Sequence, residues 1–599
     1  MLTPPQFKLR RNHGVARPAR ILYFDTETRA KQVGRVQHHY MDFGWSCYTQ
    51  KRLHPRHDTE VWKFWNNKKP FCEYILSKVK PKTALYIFAH NVFFDLQVSD
   101  FFYWFTKWGW VLDFYYAKEL TYILVIRKDK QTIKCLSTTN YFPYSLKKLG
   151  KLIGLEKIDV DFETTPRSDL IDYCKRDVEI IKAAVEYWIA FIDKHDLGNF
   201  TMTKASQAFT GYRHRFMDTN ICLHKDEELA EKERKAYYGG RVECFEIGNI
   251  KGGPFVSLDI NSMYPFVMNL FKYPIRYVDT LVYPDNDRVK EILTRRLCVA
   301  EVQLDTDVSA YAKRHNNKII FPTGRFSTYL CSEGLKFALS RGHVKNIKWL
   351  LIYEGGQIFK DYVKYFYSLR LKYKKDKNQI MTQITKDLLN SLYGKFGQKK
   401  PLIDSTDDLT CDGYYREEIA DLVTGQTEVI TKLFNKRFIE WGSESAPTSF
   451  VAIAAHVTEY ARFHLWKIIN DIGIQRVLYC DTDSIKIRKK DLKYLTYEID
   501  SAKLGALKIE DTFKTLEISG AKHYETEKER VVKGVPLNAK RINHNTWEYL
   551  SFPGQDTHLR QKVTRYFIVQ PVKKVMKRNY DKGQVLPNGK VRPFHFSEF

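Results

Sequence analysis

Cysteine is scarce and scattered: ten in 599 residues, with no two closer than 22 positions. No CxxC pair exists, which excludes a zinc ribbon or a thioredoxin-like site, and the spacing excludes a disulfide scaffold. A reducing, intracellular setting is expected. Long apolar runs are missing too. The most apolar window, Phe101 to Ala117, is aromatic rather than aliphatic and is broken by Lys107 and Asp113, so neither a membrane span nor a membrane partner is expected. The first twenty residues contain no acid, no serine and no apolar stretch of a secretory signal. With Lys8, Arg10, Arg11, Arg17 and Arg20, they read as a mobile basic tail. Acid is in short supply overall: Lys+Arg 97 against Asp+Glu 70 gives a net charge of +27. With 44% hydrophobic and 15% aromatic residues, intrinsic disorder is excluded and a polyanionic partner is indicated.

The length suggests three to six domains or subdomains. Strand-like runs (Ile21 to Asp25, Ala84 to Phe88, Leu120 to Arg127) precede a charged helical segment ending near His195, which reads as an α/β domain. A densely charged connector is expected at Lys225 to Lys235. A second strand-rich block starts at Phe255, and one long helical pattern spans Lys360 to Phe396. Residues 399–447 read as an inserted loop or small hairpin domain. A helix is expected from Val451, then a hairpin at 477–488, then a basic segment from about 526.

Two sets of carboxylates carry chemistry. Asp25 and Glu27 alternate at a strand end and so share a face. Asn91 and Asp95, like Tyr173 and Asp177, are four apart, the spacing of one helical face. Four acids, an amide and a phenol suit two-metal phosphodiester hydrolysis. His90 is expected to be structural. In the second set, Asp259 ends an apolar strand, and Asp481 and Asp483 flank a tight turn and are expected on one strand face. Such acids are costly to bury without a cation. In Lys386-Asp-Leu-Leu-Asn-Ser-Leu-Tyr-Gly-Lys-Phe396, about 100° per residue places Lys386, Asn390 and Tyr393 on one face and turns Lys395 away. That face offers a phosphate clamp, an amide and a flat aromatic; Gly394 allows close approach, and Arg370 is a second clamp.

The ordered set Asp25/Glu27, Asn91/Asp95, Tyr173/Asp177 resembles the three motifs of the proofreading 3′–5′ exonuclease domain of DNA polymerases. SLDINSMYP, KDLLNSLYGKFG and YCDTDS are similar to motifs A, B and C of family B DNA polymerases, with Met263 where leucine is common. Tyr237-Tyr-Gly239-Gly240 resembles the YxGG element and Lys522-His-Tyr524 the KxY element. The spacers match the two insertions of the protein-primed phage, plasmid and adenoviral-type branch, to which Lys157 also points.

The resemblance implies a multidomain α/β and α+β fold: an RNase H-like exonuclease domain and a right-hand polymerase with two insertions. The expected division is a tail at 1–20, the exonuclease at 21–195, a connector at 196–240 and the polymerase at 241–599. Within the last, the palm is about 241–290 and 448–525, the fingers about 361–398 and the thumb about 526–599. The first insertion (about 290–360) would dock a terminal protein, and the second (about 399–447) would help encircle DNA. Asp259, Asp483 and Asp481 are implied to hold metal for nucleotidyl transfer, and Asp25, Glu27 and Asp177 for hydrolysis, with Asp95, Tyr173 and Lys157 completing that centre. The cofactor implied is Mg²⁺, two per active site, with Mn²⁺ able to substitute. Tyr264, Arg370, Lys386, Asn390 and Tyr393 are assigned to the dNTP. Thr28, Asn91 and Phe94 are assigned to single-stranded DNA, and Tyr237, Gly239, Gly240, Lys522 and Tyr524 to primer–template DNA. The expected protein is a monomeric catalytic subunit, encoded by a virus or plasmid, that replicates a linear genome from a Ser, Thr or Tyr hydroxyl on a terminal protein. Alternatives are a family B enzyme using nucleic-acid primers or no primer, a stand-alone nuclease, and a non-catalytic DNA binder. The basic groups of the tail and of the C-terminal segment (Lys573, Lys574, Lys577, Arg578, Lys582, Lys590, Arg592) are expected to contact phosphates.

Overall fold

The structure is a computed structural model that describes residues 4–51, 58–162, 164–408, 413–420, 422–425, 427–576 and 580–599. Its architecture is mixed α/β in several bodies. A large mixed sheet is built around the strand Arg20–Val33, antiparallel to Val36–Gln50 and parallel to Ala84–Ala89. Ala84–Ala89 is followed in the sheet by Gln131–Ser137, Thr121–Lys128 and Val111–Lys118. Ile21 to Phe24 are all buried, a continuous apolar run because the sheet is covered on both faces there. The helix Arg167–Lys194 lies across Arg20–Val33 and Val36–Gln50.

A second sheet is antiparallel, in the order Val242–Cys244, Val477–Asp481, Ser484–Arg488, Phe255–Ile260, Leu507–Phe513. The helices Met263–Leu270 and Val451–Ile472 pack together beside it, the second so enclosed that His456, Glu459 and Arg462 are buried with its apolar residues. Residues 273–356 contribute four strands to a further sheet, and 399–445 form four antiparallel strands. Among the described residues, no helix is long and apolar enough to cross a membrane.

Several expectations are corrected. Residues 4–20 are not a free tail: Gln6–Lys8 pairs with Cys222–His224, Leu9 is buried, and Arg17 bonds Asp193 at 2.8 Å and the Gly198 carbonyl at 2.6 Å. The Lys225–Lys235 connector is the helix Glu227–Ala236, capped by Asp226, with acids in its first turn and bases in its last, a charge order that complements the helix dipole. The single helix expected over 360–396 is an antiparallel pair, Lys360–Lys375 and Gln379–Ser391, followed by a tight turn at Tyr393–Gly397. Lys377 adopts φ +55°, and Asn378 caps the second helix by accepting from Met381 N at 3.0 Å. Asn378 is a cap signal hidden inside a run of otherwise helical residues.

The C-terminal segment also divides. Thr546–Ser551 and Phe567–Val575 extend the first sheet through Gln37 to His39, whereas His595–Phe596 pairs with Thr323–Cys331 and so joins the sheet built from residues 273–356. Lys574 donates to the Gly534 carbonyl at 2.9 Å, Lys582 to that of Val242 at 3.0 Å, and Lys590 binds Glu246 at 2.6 Å. Each of these three cations has a partner within the protein. Lys577 and Arg578 lie outside the described residues.

Candidate active sites

The first cluster forms where three elements meet. Asp25 and Glu27 project from Arg20–Val33, Asp95 from the short helix Val92–Val98 and Asp177 from the helix Arg167–Lys194. Opposite, Gly44 leaves room for the strand bearing the acids: a Cβ there would lie 2.7 Å from the Asp25 carbonyl oxygen. Asp95 is fixed by Thr26, whose N and Oγ1 donate to Oδ1 at 3.0 and 2.7 Å. Asp177 Oδ2 accepts from Lys157 Nζ, while its Oδ1 is buried without a partner. Lys157 also sits over the Tyr173 ring, 4.3 Å from its centroid.

Burial is the first cause of every shift in this cluster. It pushes Glu27 up to about 8, with Asp177 adding to it, and Asp25 well above the carboxylate range. Asp95 rises to about 7 against the pull of the Thr26 hydrogen bonds, and Asp177 to about 6 against Lys157. The metal-free acids are therefore strongly desolvated and mutually repelling, an arrangement that a bound divalent cation relieves.

Asn91 does not share a helical face with Asp95. It is the exposed residue ahead of the helix and makes no capping bond, because the first turn begins one residue later than the spacing suggests. Thr28 Oγ1 bonds His39 at 3.0 Å, and Phe94 packs on Phe567 at 4.8 Å. His90 bonds Thr138 at 2.8 Å and burial lowers it to about 4, the behaviour of a neutral structural imidazole.

The second cluster lies at one end of the second sheet. Asp259 stands between Ser484 and Lys508 in the strand register, with its carboxylate 3.1 Å from Lys508 Nζ. Asp481 and Asp483 do not share a strand face. Asp481 ends the strand, and Thr482 adopts φ +61° and reverses the chain, leaving Asp483 in the turn. The Asp483 carbonyl accepts from Ile260 N at 2.8 Å, tying that turn to the strand of Asp259. Asp481 instead meets Lys522 Nζ at 3.1 Å and Tyr479 OH at 3.4 Å. Burial and then Asp259 raise Asp483 to about 6; burial raises Asp259 against Lys508.

The helix pair delivers the cations. Lys386 and Asn390 are exposed, and Lys386 acts electrostatically on both Asp259 and Asp483. Arg370, on the partner helix, donates to Ser262 Oγ beside Asp259. The Tyr264 and Tyr393 rings lie 4.8 Å apart, centroid to centroid. Lys395 turns away, to Ser206 at 3.4 Å. A Cβ on Gly394 would meet nothing within 4 Å.

The segment Tyr237–Arg241 fastens these parts. A Cβ on Gly240 would fall 2.6 Å from Thr482 Oγ1, and one on Gly397 would fall 2.6 Å from the Tyr237 ring. Arg462 donates to the Tyr238 and Gly239 carbonyls at 2.9 and 3.0 Å, and Thr482 N to that of Arg241 at 2.7 Å. Lys522 N donates to Tyr479 OH at 3.0 Å, and the Tyr479 and Tyr524 rings are 5.4 Å apart. Sequence reasoning missed Lys508, Tyr479, Thr482 and Cys174. Lys508 reaches Asp259 only through cross-strand register, for which nothing local signals.

Comparison with known proteins follows the same lines. A family model described as DNA polymerase type B, organellar and viral, matches residues 115–473, a span that includes Asp177, Asp259 and Lys386 and ends before Asp481. A DNA polymerase of Kluyveromyces lactis is 26% identical over 392 residues, covering 59% of this chain and 37% of that protein. The DNA-directed DNA polymerase of Enterobacteria phage PRD1 is 27% identical over 389 residues, covering 62% of this chain and 63% of its own length. The chain thus spans less than two thirds of these relatives. Among solved structures, Phi29 DNA polymerase complexed with primer-template DNA and incoming nucleotide substrates aligns with a TM-score of 0.61 at 18% identity, covering 87% of this chain and 90% of that one. The fold is shared.

Proposed function

Because the chain belongs to the organellar and viral type B DNA polymerases, we propose that it is a DNA-directed DNA polymerase with a separate 3′–5′ proofreading site. The observation that carries this reading is the presence of two carboxylate clusters on two different sheets, only one of which is ringed by Lys386, Arg370 and paired tyrosines. Both donor sets fit hard divalent cations: half-buried and acid-rich around Asp259 and Asp483, and around Asp25, Glu27 and Asp177 with an unsatisfied Asp177 Oδ1. Asp259 with Asp483, and Asp25 with Glu27 and Asp177, would hold Mg²⁺, which would supply Lewis acidity toward the attacking oxygen and the phosphate oxygens.

The remaining roles belong to side chains. Lys386 and Arg370 neutralise the triphosphate, and Asn390 and Tyr393 line the nucleotide. Tyr264, its ring tilted against that of Tyr393, closes the sugar side and rejects a 2′-hydroxyl. Lys522 and Tyr524 hold the primer terminus while Tyr237, Gly239 and Gly240 follow the template. The primer 3′-hydroxyl attacks, and Asp481 orders Lys522 beside it. In the other site Asp95 and Tyr173 orient the attacking water and scissile phosphate, Lys157 balances Asp177, and Thr28, Asn91 and Phe94 receive the frayed strand.

Initiation from a terminal-protein hydroxyl is supported by the two folded bodies at 273–356 and 399–445, which precede and follow the helix pair along the chain. Incubating the protein with a candidate terminal protein, labelled dNTP and Mg²⁺ is expected to give a covalent protein–nucleotide adduct. Extension of oligonucleotides without any adduct would reassign it to nucleic-acid priming.

A further inference from the structure

The amino-terminal cluster holds one side chain that an oxygen-ligated centre does not use. Cys174 follows Tyr173 on the helix Arg167–Lys194 and is fully buried. Its Sγ lies 3.5 Å from the Asp25 carbonyl oxygen and 3.7 Å from Asp25 Oδ2. One ligand atom each from Asp25, Glu27 and Cys174 fall within 4.8 Å of one another. Zinc–sulfur and zinc–oxygen bonds of about 2.3 and 2.0 Å, set at a tetrahedral angle, separate sulfur from oxygen by about 3.5 Å. The Asp25–Cys174 separation is that of such an edge. A further acid lies nearby. Asp177 is 2% exposed and its Oδ1 has no hydrogen-bond partner. After burial, Asp177 is the strongest influence on both Asp25 and Glu27, which places it facing them.

Resting on the reading of this cluster as the proofreading nuclease, we propose that Cys174 makes it an inhibitory Zn²⁺ site. Zn²⁺ takes the Cys174 thiolate with Asp25 and Glu27; the thiol proton leaves to solvent, as do any protons on the two carboxyls, and Lys157 offsets the excess negative charge. Mg²⁺ prefers oxygen and gains nothing from sulfur, so the thiol selects the softer ion. Zn²⁺ held through Cys174 occupies the Asp25–Glu27 pair that Mg²⁺ must use, and so displaces the ion that hydrolysis requires. Zinc therefore silences editing while synthesis at the second cluster continues.

The full-length protein titrated with Co²⁺ alone tests the site without reference to activity. The wild type is expected to show a thiolate-to-cobalt charge-transfer band in the near ultraviolet with tetrahedral bands in the visible, both lost in Cys174→Ser and Asp25→Asn. Absence of the band, or its survival in Cys174→Ser, overturns the proposal. If the band is present but Mg²⁺ supports no strand degradation, the nuclease reading fails and the metal site stands. In the second arm, Zn²⁺ is added against fixed Mg²⁺, and degradation of single-stranded DNA is normalised to each variant's Mg²⁺-only rate. Half-inhibition is expected at roughly tenfold higher Zn²⁺ or more in Cys174→Ser than in the wild type, with no difference between them in primer extension. Equal zinc sensitivity of degradation in the two proteins overturns the proposal.

Discussion

The two acid clusters use the same residue types and compensate them differently. In the amino-terminal one, Asp25, Glu27, Asp95 and Asp177 share a single lysine, Lys157, and burial drives all four upward. In the central one, Asp259 has Lys508 and Asp481 has Lys522, each at 3.1 Å, with Lys386 and Arg370 close by. The first is electrostatically incomplete until positive charge arrives from solution. The second carries its own cations, which suits a site whose substrate brings a triphosphate. If the two are separate machines, they must fail separately. Asp483→Ala is expected to cut nucleotide incorporation by roughly 10³-fold or more while single-strand degradation continues. Asp25→Ala with Glu27→Ala is expected to do the reverse. Primer extension and strand degradation measured on the same preparations decide, and loss of both activities in either folded variant would merge the two sites.

The imbalance also predicts different pH limits. Glu27 near 8, Asp95 near 7 and Asp177 near 6 are protonated below those values and cannot then hold a cation. With subsaturating Mg²⁺, degradation is expected to fade at higher pH than synthesis as the solution is acidified, because Asp483 lies near 6. Folded-state values raised above unfolded ones favour the fold at low pH, and that contribution is lost as pH rises through about 6 to 8. Metal-free protein should therefore gain more melting temperature from added Mg²⁺ at pH 8 than at pH 5.5. Lys157→Ala removes the charge that lowers Glu27 and Asp177. It is expected to slow degradation by about 10²-fold and to move its acid limb to higher pH. An unmoved limb would show that Lys157 acts on substrate alone.

A smaller effect tests how the central turn is held. Gly240→Ala brings a Cβ to 2.6 Å from Thr482 Oγ1, and relieving it shifts the turn that carries Asp483. Incorporation should fall about tenfold, in line with an overpacking cost of about 1–2 kcal/mol, with strand degradation unchanged. Thr482→Ala in the same chain should recover part of the loss; simple additivity of the two substitutions would remove the contact from the explanation.

Much of this was legible in the sequence because the acids sit on elements with strong local signatures. Asp25 and Glu27 alternate on a strand whose Ile21 to Phe24 run marks burial, and Asp259 ends Phe255–Ile260, buried at five of its six positions. What failed was geometry set by single backbone dihedrals. Thr482 at φ +61° separates Asp481 from Asp483, and Lys377 at φ +55° folds one helical pattern into two helices; neither residue type advertises a left-handed conformation. Partners brought by strand register were equally hidden: Lys508 meets Asp259 across 249 positions of sequence, and Lys590 meets Glu246 across 344. Composition has the same limit, since it counts cations and says nothing of which are already paired.

The basic C-terminal segment touches both halves. Lys573 lies exposed on the strand that extends the amino-terminal sheet, while Lys590 binds Glu246 beside the central one. A lysine that neutralises a DNA phosphate contributes about one unit to the salt slope of binding; a lysine already paired within the protein contributes none. Lys573→Ala is therefore expected to reduce the slope of primer–template affinity against salt by about one, and Lys590→Ala to leave the slope unchanged. Fluorescence anisotropy across a salt series reads both. A slope change in Lys590→Ala equal to that in Lys573→Ala would mean that the Glu246 pair opens when DNA binds, and that the two halves share one phosphate-binding surface.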